Sequence, residues 1–194
     1  MGVIRWGSAI HECRLGELKS TTLPTIHGRR MSLSKFETLK GTTPEARLAE
    51  LGIELPATRQ PVGNYTGAVT TSGNLVFVAG HGTFRGTEQT HKGKLGREIT
   101  IEQGKEAARV AVISALASLK AEIGELSRVK RVVRVFGMVN CTPDFERHPE
   151  VMDGASDVLT CVFGKDGVHA RAAVGFCSLP FGMPIELEAV IELR

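Results

Sequence analysis

Hydrophobic and polar positions divide this chain into an unpatterned start and a patterned remainder. The first 40 residues show no sustained apolar period and interleave Gly, Ser, Thr and basic side chains, which predicts a poorly ordered N-terminal extension over 1–41. Order is expected from Thr42-Thr43-Pro44-Glu45. Two helix starts fit: Thr43 as N-cap with Pro44 first in the helix, or Thr42 as N-cap with Glu45 at the capping-box spacing. Either helix reaches Leu51 and stops at Gly52. Two short strands follow, Tyr65 to Thr71 and Leu75 to Gly80, joined by the turn-forming Ser72-Gly73-Asn74, and then a Gly-rich loop from His81 to Gly96.

The strongest helical period opens at Thr100 with Gln103 three residues on. It continues through Ala107, Ala108, Ala111, Ala115, Leu116, Leu119 and Ile123, with Gly124 placed to close it. Arg131 to Asn140 is dense in β-branched residues and reads as a buried strand, while Val151, Ala155, Val158, Leu159 and Val162 mark a second helix ended by Gly164. The closing strands, His169 to Cys177 and Ile185 to Leu193, flank the turn-prone stretch from Leu179 to Pro184. After a short leading helix the order is β-β-α-β-α-β-β, without internal repeat or second-domain linker. It predicts an α+β domain over 42–194, one sheet with two helices on one face. In the strand RVVRVFGMVN, Val132 and Phe136 are expected on one face and Val133 and Val135 on the other. Large side chains on both faces imply that the second face is buried in an oligomer.

Charge changes the picture of the N-terminal segment. The formal net charge is +3, but residues 1–35 hold six Lys/Arg against two Glu, so the remaining chain carries about −1 and lacks the basic footprint of a nucleic-acid binder. A single Tyr and a single Trp offer little for base stacking. The basic arm fits a solvated linker, an upstream extension before a start at Met31, or an organelle presequence, with Glu12 and Glu17 counting against the last. A cytoplasmic location is therefore expected, with a mitochondrial one as the alternative. Cys13, Cys141, Cys161 and Cys177 form no C-x-x-C pair, and the six histidines (11, 27, 81, 91, 148, 169) form no i, i+4 pair, so no metal site is expected. No apolar run approaches membrane-spanning length, and Trp6 occupies the position where an N-myristoylation signal needs a hydroxyl residue.

Two strands carry candidate chemistry. In the last, Ile185, Leu187, Ala189, Ile191 and Leu193 face one way, and Glu186, Glu188, Val190 and Glu192 the other. Such a row of carboxylates is more often a solvated edge than a catalytic set. In the preceding strand Arg171 stands alone among Ala173, Gly175 and other small residues, where a guanidinium can grip a carboxylate with two hydrogen bonds or pair with a glutamate of the adjacent strand. A tight hairpin centred near Phe181 would set Arg171 opposite Glu192 and six residues, roughly 20 Å, from Glu186. A site using both residues then needs two chains, or a looser loop.

The stretch from His169 to Ala189 (HARAAVGFCSLPFGMPIELEA) resembles the signature of the RidA/YjgF family, a strand Arg followed by Leu-Pro and then Ile-Glu-x-Glu. Pro-Val-Gly-Asn-Tyr at 61–65 resembles the family's Gly-x-Tyr, Leu75 to His81 its strand ending in a Ser-Gly step, and the Ala-rich helix and the strand before Asp144-Phe145 also fit. The resemblance spans residues 56–194 and implies a chorismate-mutase-like α+β subunit, a homotrimer with clefts between subunits, and cofactor-free hydrolysis of reactive 2-imino acids to 2-keto acids and ammonia.

Carried over residue by residue, Arg171 matches the Arg that holds the substrate carboxylate, Glu186 the Glu that positions or deprotonates water, and Tyr65 the cleft Tyr. Gly80 matches the Gly whose N–H meets the ligand. Ala173 stands where some members have Cys, a position whose backbone carbonyl contacts the water. Ala79 replaces a common Ser, which removes a hydrogen bond worth about 0.5 to 1.5 kcal/mol. His81 follows the Gly step where Gln is common, His169 replaces a Pro, and the family's helix-start Asn falls on Asp153 or Ser156. These departures suit a divergent imine deaminase or, alternatively, a non-catalytic trimer that binds small carboxylates. The ribonuclease label of some members fits the near-neutral body less well.

Overall fold

Helix caps fix where the elements begin. The computed structural model describes residues 40–194 together with the backbone pairs Thr25–Ile26 and Arg29–Arg30, which lie antiparallel; the extension expected over 1–41, Met31 included, otherwise falls outside the described residues. Of the two starts open for the first helix, Thr43 is the one used: its side chain accepts from the Ala46 N–H at 3.2 Å, and α1 spans Pro44–Glu50. Glu45, the capping alternative, instead accepts from the Leu126 N–H at 2.6 Å and ties α1 to the far end of the long helix. The first two sheet strands are β1 (Ala68–Thr70) and β2 (Leu75–Gly82), turned through Asn74 at φ +60°.

The long helix α2 covers Ile101–Ile123 with the expected Thr100–Gln103 capping box closed in both directions. It is followed by β3 (Val129–Asn140), α3 (His148–Phe163), β4 (Ala170–Phe176) and β5 (Ile185–Leu193). Within the expected Gly-rich loop, His81 and Gly82 extend β2, and Phe84–Arg85 pairs with Glu88–Gln89 as a small ribbon.

The five strands order as β1-β2-β5-β3-β4, with β4 parallel to β3 and all other neighbours antiparallel. The tight β4–β5 hairpin does not form. β3 lies between these strands, because the β3-α3-β4 unit is a parallel crossover that places β4 at the sheet edge. Val76, Val78, Val132, Val135, Val139, Ile185, Leu187 and Ile191 are buried against α2 and α3, one helix layer on one sheet face as expected. Face assignments within β3 differ from strict alternation. Register shifts between Val129 and Arg131 and between Val132 and Arg134 put Val132 and Val135 together under the helices and leave Phe136 on the open face. Val69, Phe77, Phe136, Met138, Val174 and Phe176 share that open face with charged residues.

Candidate functional site

A bulge in β2 shapes the candidate site. Val78 pairs with Ala189 and His81 with Leu187, so Ala79 and Gly80 together stand opposite Glu188 alone and leave the regular ladder. The bulge bends β2 over Glu186, which is paired with Gly82, and a Cβ on Gly80 would collide with Glu186 Oε1. Glycine there makes room for a carboxylate. Glu186, Gly80, His81 and Tyr65 line one hollow of about 160 Å³, whose wall also includes Arg59, Met183 and two aromatic rings, Phe84 and Phe181.

Electrostatics separate Glu186 from the other glutamates of its strand. Lys130 lies 2.8 Å from Glu192 and Arg134 4.0 Å from Glu188, whereas Glu186 stands beside Met138 and has no ion pair among the described residues. Burial, reinforced by the like charge of Glu188, pushes its carboxyl above the usual carboxylate range. His81 reaches the hollow with both ring nitrogens engaged. Nδ1 is 2.7 Å from the Ala79 carbonyl and Nε2 2.7 Å from Ser118 Oγ. Burial lowers its pKa, so the ring is neutral; Nδ1–H donates to the carbonyl and Nε2 accepts the Ser118 hydroxyl. The ring pins the bulge to α2. Tyr65 is held locally by its N–H bond to the Gly63 carbonyl at 2.9 Å, and its ring is largely exposed.

Arg171 and Ala173 lie elsewhere. Both sit on the helix-facing side of the edge strand, Arg171 level with Val135 and Ala189 and Ala173 level with Gly137 and Leu187. Glu186, level with Met138 and Val174, lies on the opposite face, two strands away and three residues further along, about 14 Å at Cα. Arg171 is braced by α3 rather than by a strand glutamate: Nη1 donates to Asp153 Oδ1 and Ser156 Oγ, each at 2.9 Å, and Nη2 to the Pro149 carbonyl at 3.0 Å. Nε–H and one Nη2–H meet no partner among the described residues. Ser156 in turn meets His169 Nε2 at 3.2 Å, with His169 Nδ1 on the Gly167 carbonyl at 2.7 Å. Asp153 and Ser156, the two positions considered for the helix-start Asn, thus hold Arg171 jointly.

The predicted residues therefore fall into two separate groups, one with Tyr65, Gly80, His81 and Glu186, the other with Arg171 and Ala173. No side-chain set with metal-binding geometry occurs among the described residues, and no described helix is long and apolar enough to cross a membrane. Sequence reasoning missed Asp153 and Ser156 as joint braces, and also Arg59 and Phe181, which line the Glu186 hollow from irregular segments.

Known proteins resemble this chain in sequence and fold. A family profile described as "YjgF/chorismate_mutase-like, putative endoribonuclease" matches residues 45–187. Protein TCP17 of Trypanosoma cruzi is 40% identical over 150 residues, 77% of this chain and 93% of that protein. Among solved structures, Atu1372 from Agrobacterium tumefaciens, described as of unknown function, is 34% identical with TM-score 0.72, covering 83% of this chain and 96% of its own. A "putative endoribonuclease" from Shewanella oneidensis MR-1 is 34% identical with TM-score 0.75, covering 78% of this chain and 100% of its own.

Proposed function

The chain belongs to the YjgF/chorismate mutase-like family, and on that premise we propose that it hydrolyses reactive 2-imino acids to 2-keto acids and ammonia in clefts between the subunits of a homotrimer. The observation that carries this reading is the placement of two complementary half-sites on opposite faces of one sheet. A carboxylate of raised basicity faces a hollow on one, and a braced guanidinium with an uncommitted Nε–H lies at the sheet margin on the other. One small ligand reaches both only if a second copy brings its Arg171 to the Glu186 hollow of the first.

In that composite site the uncommitted Nε–H and Nη2–H of Arg171 donate to the substrate carboxylate, and the bonds to Asp153, Ser156 and Pro149 fix the direction of the guanidinium. Glu186 accepts a proton from water as the water oxygen bonds to the imino carbon. The proton passes to the nitrogen of the resulting carbinolamine, the C–N bond breaks as the C=O bond forms and Glu186 takes the hydroxyl proton, and the departing ammonia collects that proton and leaves as ammonium. A protonated imine carbon is already electrophilic, so water, a carboxylate clamp and a base suffice.

The test generates 2-iminobutanoate in situ and follows its loss. Purified protein is expected to exceed the spontaneous rate, and Arg171→Ala to return it to that rate; a wild-type rate equal to the background overturns the proposal. A second reading, a non-catalytic trimer that binds small carboxylates, draws on Ala79, which brings no hydroxyl, and on His81, whose nitrogens are both committed. Keto-acid binding in wild type and Glu186→Gln, with no turnover in either, would favour it. An endoribonuclease role, suggested by the names of relatives, finds no surplus of positive charge in residues 36–194, where 18 basic residues meet 19 acidic ones.

A further inference from the structure

The Glu186 hollow contains a cation that the proposed hydrolysis leaves unused. Arg59, from the segment between α1 and β1, places its guanidinium carbon 4.0 Å from the ring centre of Phe84 and 5.2 Å from that of Phe181. The two rings meet edge to face, 5.8 Å apart at 88°. Phe181 holds this position with φ of +58°, a left-handed conformation that costs a bulky residue strain, and Gln89 Nε2 donates to its carbonyl at 3.1 Å. Cation–π attraction holds a guanidinium beside a ring without using up any of its N–H donors. Arg59 makes no ion pair or hydrogen bond among the described residues.

Arg59, Phe181, Tyr65, Gly80 and Glu186 line the same hollow. A guanidinium held beside two rings, with no donor committed to a described partner, is suited to a carboxylate, which it can bind through two parallel N–H···O contacts. The reacting carbon of a substrate must lie near Glu186, and the partner subunit's Arg171 accounts for the carboxylate next to that carbon. Arg59 then faces whatever the substrate carries further out.

We propose that Arg59 is a specificity-determining residue that binds a second, distal carboxylate, so that the site prefers 2-imino and 2-keto dicarboxylic acids to their monocarboxylic counterparts. This inference rests on the composite-site reading of Arg171 and Glu186, and its test separates the two.

Calorimetric titration compares 2-oxoglutarate with 2-oxopentanoate, five-carbon keto acids that differ in the distal carboxylate, against wild type, Arg59→Gln and Arg171→Ala. Wild type is expected to bind 2-oxoglutarate at least about tenfold more tightly, the scale of one charge-assisted hydrogen-bonded pair. In Arg59→Gln that advantage should vanish while 2-oxopentanoate binds within about twofold of wild type, as for an exposed loop residue whose removal leaves the fold intact. Equal binding of the two acids by wild type, or an advantage that survives in Arg59→Gln, overturns the role of Arg59. If in that case 2-oxopentanoate binding still depends on Arg171, the composite site stands without it. Binding of neither acid by wild type overturns both.

Discussion

Glu186 differs from Glu188 and Glu192 in what faces it across the sheet. Arg134 and Lys130 draw the other two into ion pairs, while Met138 offers Glu186 no charge and the overhanging bulge withdraws it from water. Burial first and the Glu188 charge second raise its pKa, so the acid limb of kcat/KM is expected above the ordinary carboxylate range. Glu188→Gln removes a like charge and should move that limb down; a limb that stays fixed in this variant would refute the electrostatic account. The same shift has a sign in stability. A group whose folded pKa is raised favours folding while protonated and loses that contribution as pH rises through the folded value, so ionised Glu186 weighs against the fold at neutral pH. Glu186→Gln is therefore expected to raise Tm at pH 7 while ending turnover, with the gain disappearing below the ordinary carboxylate range. Gly80→Ala tests the geometry. Its new Cβ meets the mobile end of Glu186 rather than backbone, so the fold should survive while the displaced carboxylate lowers kcat by about a hundredfold.

Elements carry the site through close approach as well as through register. Gly154 lets α3 lie directly on α2, and a Cβ there would run into the Lys105 carbonyl, a backbone atom with no room to retreat. Gly154→Ala should therefore destabilise by about 1 to 3 kcal/mol, read as a lowered midpoint in denaturant, and should loosen the α3 seat of Arg171. In the sequence that glycine only weakens a helical pattern; its reason lies in the partner helix. The same division runs through the whole chain. Local chemistry was legible: the Thr43 and Thr100 caps, the apolar period of α2, and the glycines ending both long helices at positive φ. Long-range pairing was not. Adjacent strands in sequence suggest a hairpin, and nothing in the periodicity of β3 says that it lies between β4 and β5. Bulges hide for the same reason, since one extra residue reverses the parity that alternation relies on, as it does at Val132 and Phe136. Arg171 and Glu186 were visible through the resemblance of their motif. Arg59 sits in an irregular segment with no period to flag it, and its meaning comes from two rings that reach it from elsewhere in the chain.

The open sheet face makes the strongest demand at the scale of the whole molecule. Phe77 is 51% and Val69 50% exposed, and with Phe136, Met138, Val174 and Phe176 they form an apolar surface of the kind that subunits cover. A closed ring of three copies would cover such faces by a heterologous contact, in which one margin of each subunit meets a different surface of the next. That geometry suits half-sites on opposite faces of a sheet, and it makes a prediction that no single-chain site shares. Arg171→Ala and Glu186→Gln are each expected to be inactive alone. When the two variants are unfolded together and refolded as a mixture, an intact cleft arises wherever a Glu186→Gln subunit supplies Arg171 to an Arg171→Ala subunit that supplies Glu186. Random assembly makes this about one cleft in four, so about a quarter of wild-type activity should return. If both residues served a ligand within one chain, every mixed assembly would lack one of them at each site and the refolded mixture would stay inactive. Sedimentation of the wild type checks the premise independently, with a mass three times that of the chain expected and a monomer refuting it.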